Sequence, residues 1–416
     1  MAVESLGRLV AGGLTAPRGW RAGVAACGIK AFTAGASALP SDQRDDLTVV
    51  ASDTPCDAGG VFTTNRVKSA SVVIDQLHLK NNRLQAMVVC SGNANACTGA
   101  QGFRDALQMA KLTADRLELD PPQVLVSSTG VIGRYLPMTA VKNGIRLACE
   151  SLSAKGGEPA ARAIMTTDTV TKTAELELEL AGTTVRVGGM CKGSGMIHPN
   201  MATMLAYVVT DAAVERGWAG AIVKRVADRS FNQVTVDGDS STNDTFLVLA
   251  NGAAGNPPVE LGTPESDALE AAVLEVARRL ARKIAQDGEG ATKLITVRIE
   301  SAPDDQQARL AARAVASSSL VKTAIHGGDP NWGRIVCALG YSGSELAIDT
   351  LTVKVAGVTV FDKGAGVEAD LDQVRRAFAE PEIEVYASLG MGEGNAEAWG
   401  CDLSEEYVRI NADYTT

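Results

Sequence analysis

Short apolar runs alternate with amphipathic helical patterns from one end of this chain to the other, and that mixed order predicts an α/β or α+β fold in which helices cover sheet faces. Composition agrees. Of 416 residues, 45% are hydrophobic and 21% charged, enough material for a sizeable core and for two or three structural units. Gly numbers 42 while aromatics reach only 4%, a balance that favours tight turns and close backbone packing over an aromatic recognition surface.

In chain order, strands are expected over 47–51, 86–90, 124–126, 205–210, 245–250 and 294–299, most of them bounded by Gly, Asp, Asn or Ser. Helices are expected over 103–117, 139–152, 213–229, 267–285 and 317–325. The stretch 251–263, with Gly252, Gly255, Pro257, Pro258 and Gly262, is a loop, and 301–305 is a second connection. No short-period repeat or low-complexity tract interrupts the pattern.

A formal net charge of −10 and the lack of clustered Lys and Arg argue against nucleic acid as a partner. Eight Cys without a Cys-x-x-Cys pair read as reduced, partly buried thiols. The three His are too far apart for a local zinc motif, so no metal is expected. No apolar stretch has the length of a membrane span, and the first residues lack a basic n-region leading into an apolar h-region. A cytoplasmic enzyme without membrane contact is the expectation.

The most unusual segment is 192–205, KGSGMIHPNMATML, which runs from a Gly-rich turn into an apolar strand with Thr203 at the junction. A Thr placed after a small residue can attack the carbonyl before it, and hydrolysis of the resulting ester frees an α-amine beside the hydroxyl. That amine, with an ordinary pKa of about 7.7–8.0, is a base suited to activating an otherwise weak nucleophile. Taken alone, Ala202-Thr203 is more simply the start of a β-branched strand.

The surrounding motifs decide the matter. Segment 192–205 resembles the self-cleavage motif of the ornithine acetyltransferase (ArgJ) family of arginine biosynthesis. The likeness continues through NANACTG at 93–99, SSTGVIG at 127–133, DGDSSTNDT at 237–245, DGEGATK at 287–293, GGDPNWGR at 327–334 and RINADYTT at 409–416. These blocks keep the family's order from about Thr15 to the last residue.

The resemblance implies a two-lobed ArgJ/DmpA-like αββα sandwich with an N-terminal threonine nucleophile. It implies cleavage between Ala202 and Thr203 into fragments 1–202 and 203–416, assembled as an α2β2 heterotetramer. Thr203 is then the nucleophile, and Thr129 and Gly130 form the oxyanion hole. The substrate-binding positions are Thr166, Lys192, Thr203, Glu289, Asn411 and Thr416. Lys192 and Glu289 are residue types suited to a substrate carboxylate and amine. Thr129 and Gly130 are expected on a polar turn delivered by the 124–126 strand.

The implied reaction passes acetyl from N2-acetylornithine through acetyl-Thr203 to L-glutamate with no bound cofactor; some members of the family also accept acetyl-CoA as a co-substrate, and the sequence leaves that open here. Two other readings remain: an aminopeptidase or amidase in which water accepts the acyl group, and a non-catalytic relative of the same fold. Three further features are read as structural. Gly238-Asp239-Ser240-Ser241 lacks the His and Asp of a serine protease and reads as a polar loop beside the site. Gly390 to Gly394 has the wrong spacing for a dinucleotide loop and reads as a turn. His198 and His326 read as loop residues held by hydrogen bonds.

Overall fold

One strand organises the larger lobe. In the computed structural model, which describes residues 7–30, 44–81, 83–198 and 204–413, β2 (Leu47–Phe62) bends where Asp53, Thr54 and Pro55 are exposed and takes part in two half-sheets. Its first half pairs with β1 (Trp20–Ala25) and with β3 (Leu84–Asn93), which pairs in parallel with β4 (Val124–Val131). Its second half pairs with β9 (Thr245–Ala250), followed outward by β7 (Leu205–Thr210), β6 (Thr183–Lys192) and β5 (Lys172–Leu180).

The two halves face each other across one apolar layer. Period-two alternation sends Leu205, Tyr207, Val209, Leu247 and Leu249 inward to meet Trp20, Val50, Met87, Val89 and Leu125. The opposite faces are covered by helices. Val49, Val88 and Val126 pack under α1 (Ala70–His78), α2 (Gly99–Leu117) and α3 (Met138–Glu150), and the short α4 (Gly157–Ala163) closes one edge of the inner layer. Ala206, Val208, Phe246 and Val248 pack under α5 (Trp218–Asp228) and α6 (Pro264–Gln286). The layer order is therefore α, β, β, α, as expected.

Helix α6 illustrates the local logic. Thr263 caps it by accepting from the Ser266 amide, Pro264 opens the first turn, and Glu265 and Asp267 sit at the positive end of the helix dipole. Leu269, Val273, Val276, Leu280 and Ile284 recur at three- and four-residue spacing and are all buried, each contributing roughly 1.5–3 kcal/mol.

The second lobe is a seven-stranded sheet ordered β13 (Ala365–Gly366), β12 (Val358–Asp362), β11 (Thr352–Val355), β14 (Glu382–Ser388), β10 (Leu294–Ala302), β15 (Gly394–Cys401) and β8 (Val234–Thr235). Its apolar face lies under α7 (Asp305–Ser317), α8 (Ser319–Gly327), α9 (Trp332–Gly340) and α10 (Leu371–Ala377). A last helix, α11 (Glu405–Asp413), returns toward the first lobe.

Several expected elements are corrected. The expected turn at 127–130 is strand: Ser127 to Gly130 continue the β4 ladder beside β3. The helix expected from 213 begins at Trp218, because Val214 bridges Val259 and Gly217 takes a left-handed φ of 91° at the N-cap. The helix expected over 317–325 is α8, which begins two residues later behind the Ser318 cap, and α7 before it was not anticipated. The loop at 251–263 and the turn at 390–394 stand as read. All eight cysteines are free, but Cys97 and Cys337 are exposed rather than partly buried. No helix among the described residues is long and apolar enough to cross a membrane.

Gly59 sits where α5 crosses β2, and a Cβ there would lie 2.4 Å from the Ala219 carbonyl oxygen and 2.5 Å from its carbon. Backbone on both sides leaves no room to yield. Gly59→Val is expected to cost about 2 kcal/mol or more in chemical unfolding; an unchanged midpoint contradicts this packing.

Candidate active site

A cavity of about 240 Å³ opens where β4 and β6 end and β7 begins. Thr129 and Gly130 form one wall. Gly130 takes a φ of 130° opposite Gly92, and a Cβ there would come within 2.2 Å of the Gly92 carbonyl carbon, so only glycine fits this irregular pairing of β3 and β4. Asn243 fixes the same corner, its side-chain amide donating to the Ala94 carbonyl at 2.6 Å and the Ser128 carbonyl at 2.7 Å.

The other walls come from distant segments. Thr166 and Thr167 lie on the loop before β5, Lys192 ends β6, and Gly195, Met196 and Ile197 follow it. Met204, the residue bonded to Thr203, lines the cavity at the start of β7, and its carbonyl accepts the Thr245 amide at 2.9 Å. Glu289 enters from the loop after α6, where it accepts from the Asn411 side chain on α11 at 2.9 Å. Gly195 lies flat against that carboxylate, for a Cβ would meet its oxygens at 2.4–2.5 Å.

Six positions that the sequence motifs single out thus share one cavity: Thr129, Gly130, Thr166, Lys192, Glu289 and Asn411. Ala202, Thr203 and Thr416 lie outside the described residues. Asn411 is held in a helix against Glu289.

Further acidic groups line the cavity without having been anticipated individually. Asp237 accepts from the amides of Met196 at 2.6 Å and Ile197 at 2.8 Å, which fixes the Gly-rich segment. Burial raises the Tyr407 phenol above its ordinary range, and Asp237, hydrogen-bonded to it, adds to the effect. Asp244 is almost fully buried, and its Oδ2 has no hydrogen-bond partner among the described residues. Burial pushes its carboxyl well above the usual carboxylate range, although Ser241 and Thr63 hydrogen-bond to it. The DGDSSTNDT block carried Asp237 and Asp244 in the sequence, but only the convergence of loops reveals that they and Tyr407 face the cavity.

The histidines lie elsewhere. His198 Nε2 accepts from Arg313 at 2.9 Å, which leaves the proton on Nδ1, 3.0 Å from the Thr235 hydroxyl. His326 belongs to the last turn of α8 rather than a loop, with Nδ1 2.7 Å from Asp402 Oδ2. His78 Nδ1 lies 2.7 Å from the Val124 carbonyl. Among the described residues no group of three or more His, Cys, Asp or Glu could hold a metal ion.

Fold and cavity together define an αββα-sandwich protein with a polar, amino-acid-scale site at its strand ends. Comparison with known proteins narrows this: the model of the ArgJ family matches residues 21–416. The arginine biosynthesis bifunctional protein ArgJ of Symbiobacterium thermophilum is 49% identical over 407 residues, covering 98% of this chain and 99% of that protein. Its namesake in Dehalococcoides mccartyi is 45% identical over 413 residues, covering 99% of this chain and all of the relative, 100%. A solved structure of ornithine acetyltransferase complexed with ornithine, from Mycobacterium tuberculosis, is 39% identical and covers 48% of this chain and 99% of its own, with a TM-score of 0.41. The chain belongs to the ArgJ family and is an enzyme of arginine biosynthesis.

One pH effect follows from this geometry. Burial, followed by the Arg313 charge, lowers His198 to about 4, whereas an unfolded His protonates near about 6.5. Between these values the unfolded chain binds the extra proton, so this contribution to stability is complete above about 6.5 and is lost as pH falls toward 4. Urea midpoints compared at about pH 7.5 and about pH 4.5 are expected to differ less in His198→Gln than in the parent; equal differences contradict the assignment.

Proposed function

We propose that this chain is a glutamate N-acetyltransferase that cuts itself between Ala202 and Thr203 and then carries acetyl from N2-acetylornithine to L-glutamate on Thr203. One observation carries the reading: residues from both sides of that bond, Thr129, Thr166 and Lys192 before it and Glu289 and Asn411 after it, line one cavity whose wall includes Met204.

Self-cleavage needs no outside reactant beyond water. The Thr203 hydroxyl attacks the Ala202 carbonyl, the C–N bond breaks, and the amine takes the proton. Water then hydrolyses the ester, leaving Ala202 as a carboxylate and Thr203 with a free amine. The resulting fragments, 1–202 and 203–416, do not correspond to separately folded lobes. Strands β7 and β9 lie between β2 and β6, so the β2–β9 and β6–β7 ladders join the fragments after the peptide bond is gone. Two such cleaved protomers assemble as an α2β2 tetramer in this reading.

In the transfer, the Thr203 amine accepts the hydroxyl proton as the oxygen attacks the acetyl carbonyl of N2-acetylornithine. Negative charge on the carbonyl oxygen develops toward Thr129 and the Gly130 amide. Collapse breaks the C–N bond, the proton passes to the leaving amine, and ornithine departs from acetyl-Thr203. The amine of glutamate then attacks the ester, N-acetylglutamate leaves, and the hydroxyl is regenerated. Lys192 suits the α-carboxylate common to both amino acids, and Glu289 suits the side-chain amine of ornithine. Thr166, Asn411 and Thr416 complete the substrate site. Use of acetyl-CoA as a second donor fits the bifunctional character named for the relatives.

Intact mass spectrometry tests the cleavage: two fragments meeting at Ala202 and Thr203 support it, and an uncut, inactive Thr203→Ala chain supports the nucleophile. Thr129→Ala is expected to lower kcat by about 10²–10³ while the fold persists. Ornithine release that depends on glutamate supports transfer, whereas release with free acetate and no glutamate dependence identifies an amidase instead.

A further inference from the structure

The cavity walls are held by charges that do not line it. Lys172, the first residue of β5, is fully buried, and its ammonium donates to Asp168 Oδ1 at 2.7 Å and to Asp287 Oδ2 at 2.5 Å. Asp168 also accepts the Gly193 amide at 2.7 Å and the Thr166 amide at 3.0 Å. Asp287 accepts the Thr169 amide at 3.0 Å, and its carbonyl accepts the Ser194 hydroxyl at 2.6 Å. The Ser194 carbonyl in turn accepts the Glu289 amide at 2.9 Å. One ammonium therefore ties together the three segments that bring Thr166, Lys192 and Glu289 to the cavity.

Charge matters here as much as connection. The Lys192 ammonium stands 3.9 Å from Asp168 Oδ2, outside hydrogen-bond distance. Burial opposes ionisation of Asp168, yet Lys192 and Lys172, with hydrogen bonds from Lys172 and Gly193, outweigh it and hold the carboxyl well below the usual range. Two lysines and two aspartates balance, and removing one buried cation leaves an anion that must find another partner. The nearest one is Lys192.

We propose that Lys172 is a positioning residue: its ammonium occupies Asp168 and Asp287 and so keeps the Lys192 ammonium available for a substrate carboxylate. The inference rests on the assignment of Lys192 to the amino-acid site. It also explains why a cation with no access to the cavity lies at the meeting point of its walls.

The decisive variant is Lys172→Gln, which keeps a hydrogen-bond donor and loses the charge. The purified, self-processed chain is compared with the parent in KM for N2-acetylornithine and in calorimetric binding of L-ornithine. Both are expected to weaken roughly tenfold, with kcat changing less, as Lys192 turns to Asp168. Adding Asp168→Asn removes that competing anion, and the double variant is expected to recover to within about threefold of the parent. A folded Lys172→Gln chain with unchanged KM overturns the inference, as does a double variant no better than the single. If Lys172→Gln does not fold, the charge-balanced double variant decides the question alone: affinity within about threefold supports the inference and a tenfold loss overturns it. A parent chain that neither binds ornithine nor turns over N2-acetylornithine overturns the functional reading itself, and this inference with it.

Discussion

The hydrogen-bond ladders on either side of β7 are the constraint on which the site depends. Lys192 pairs with Leu205 on one side, and Thr245 pairs with Leu205 on the other. All six residues of the strand are buried, so it is fixed by both faces as well as both edges. Met204 is thereby anchored at the cavity wall. In the proposed reading the cut falls just before this central strand, so the two fragments share one sheet through the β2–β9 and β6–β7 ladders.

The cavity carries charges of both signs, and buried charges are costly unless each has a partner. The structure meets that demand in layers. Lys192 and Glu289 face the cavity, and Glu289 is steadied by Asn411 from the C-terminal helix. Behind them, Asp168, Lys172 and Asp287 form a compact ionic cluster to which three loops are attached. Polar groups aligned before the substrate arrives need little rearrangement during reaction, which is the physical basis of electrostatic preorganisation.

Much of the sandwich was legible in the sequence because its central strands are short, uniformly apolar and sharply bounded. Strands β7 and β9 match their expected limits to the residue. Polar strand ends were not legible. Ser127 to Gly130 lack apolar alternation, and only pairing with β3 makes them strand. Likewise α5 begins late because tertiary bridging at Val214 and the left-handed Gly217 override helical periodicity. Helix α7 went unread because its buried face is four Ala and one Val, Ala308, Ala311, Ala312, Val315 and Ala316, which mark a helical phase weakly.

For the cavity, the motifs identified six described positions that converge there, yet they did not point to the ionic cluster behind them. Lys172 lies outside every motif block and 115 residues from Asp287, so nothing in the sequence pairs the two. Asp244 and Tyr407 likewise gain meaning only when loops from both lobes meet.

The central claim is that Thr203 carries the acyl group, and trapping the intermediate tests it most directly. The cleaved enzyme is mixed with N2-acetylornithine in the absence of glutamate, quenched in acid, and its 203–416 fragment mapped by mass spectrometry. The account predicts the added mass of one acetyl group on the first residue of that fragment, discharged when glutamate is supplied before quenching. Unmodified Thr203 in a chain that turns over, or an acetyl group on another residue that glutamate discharges, would contradict it.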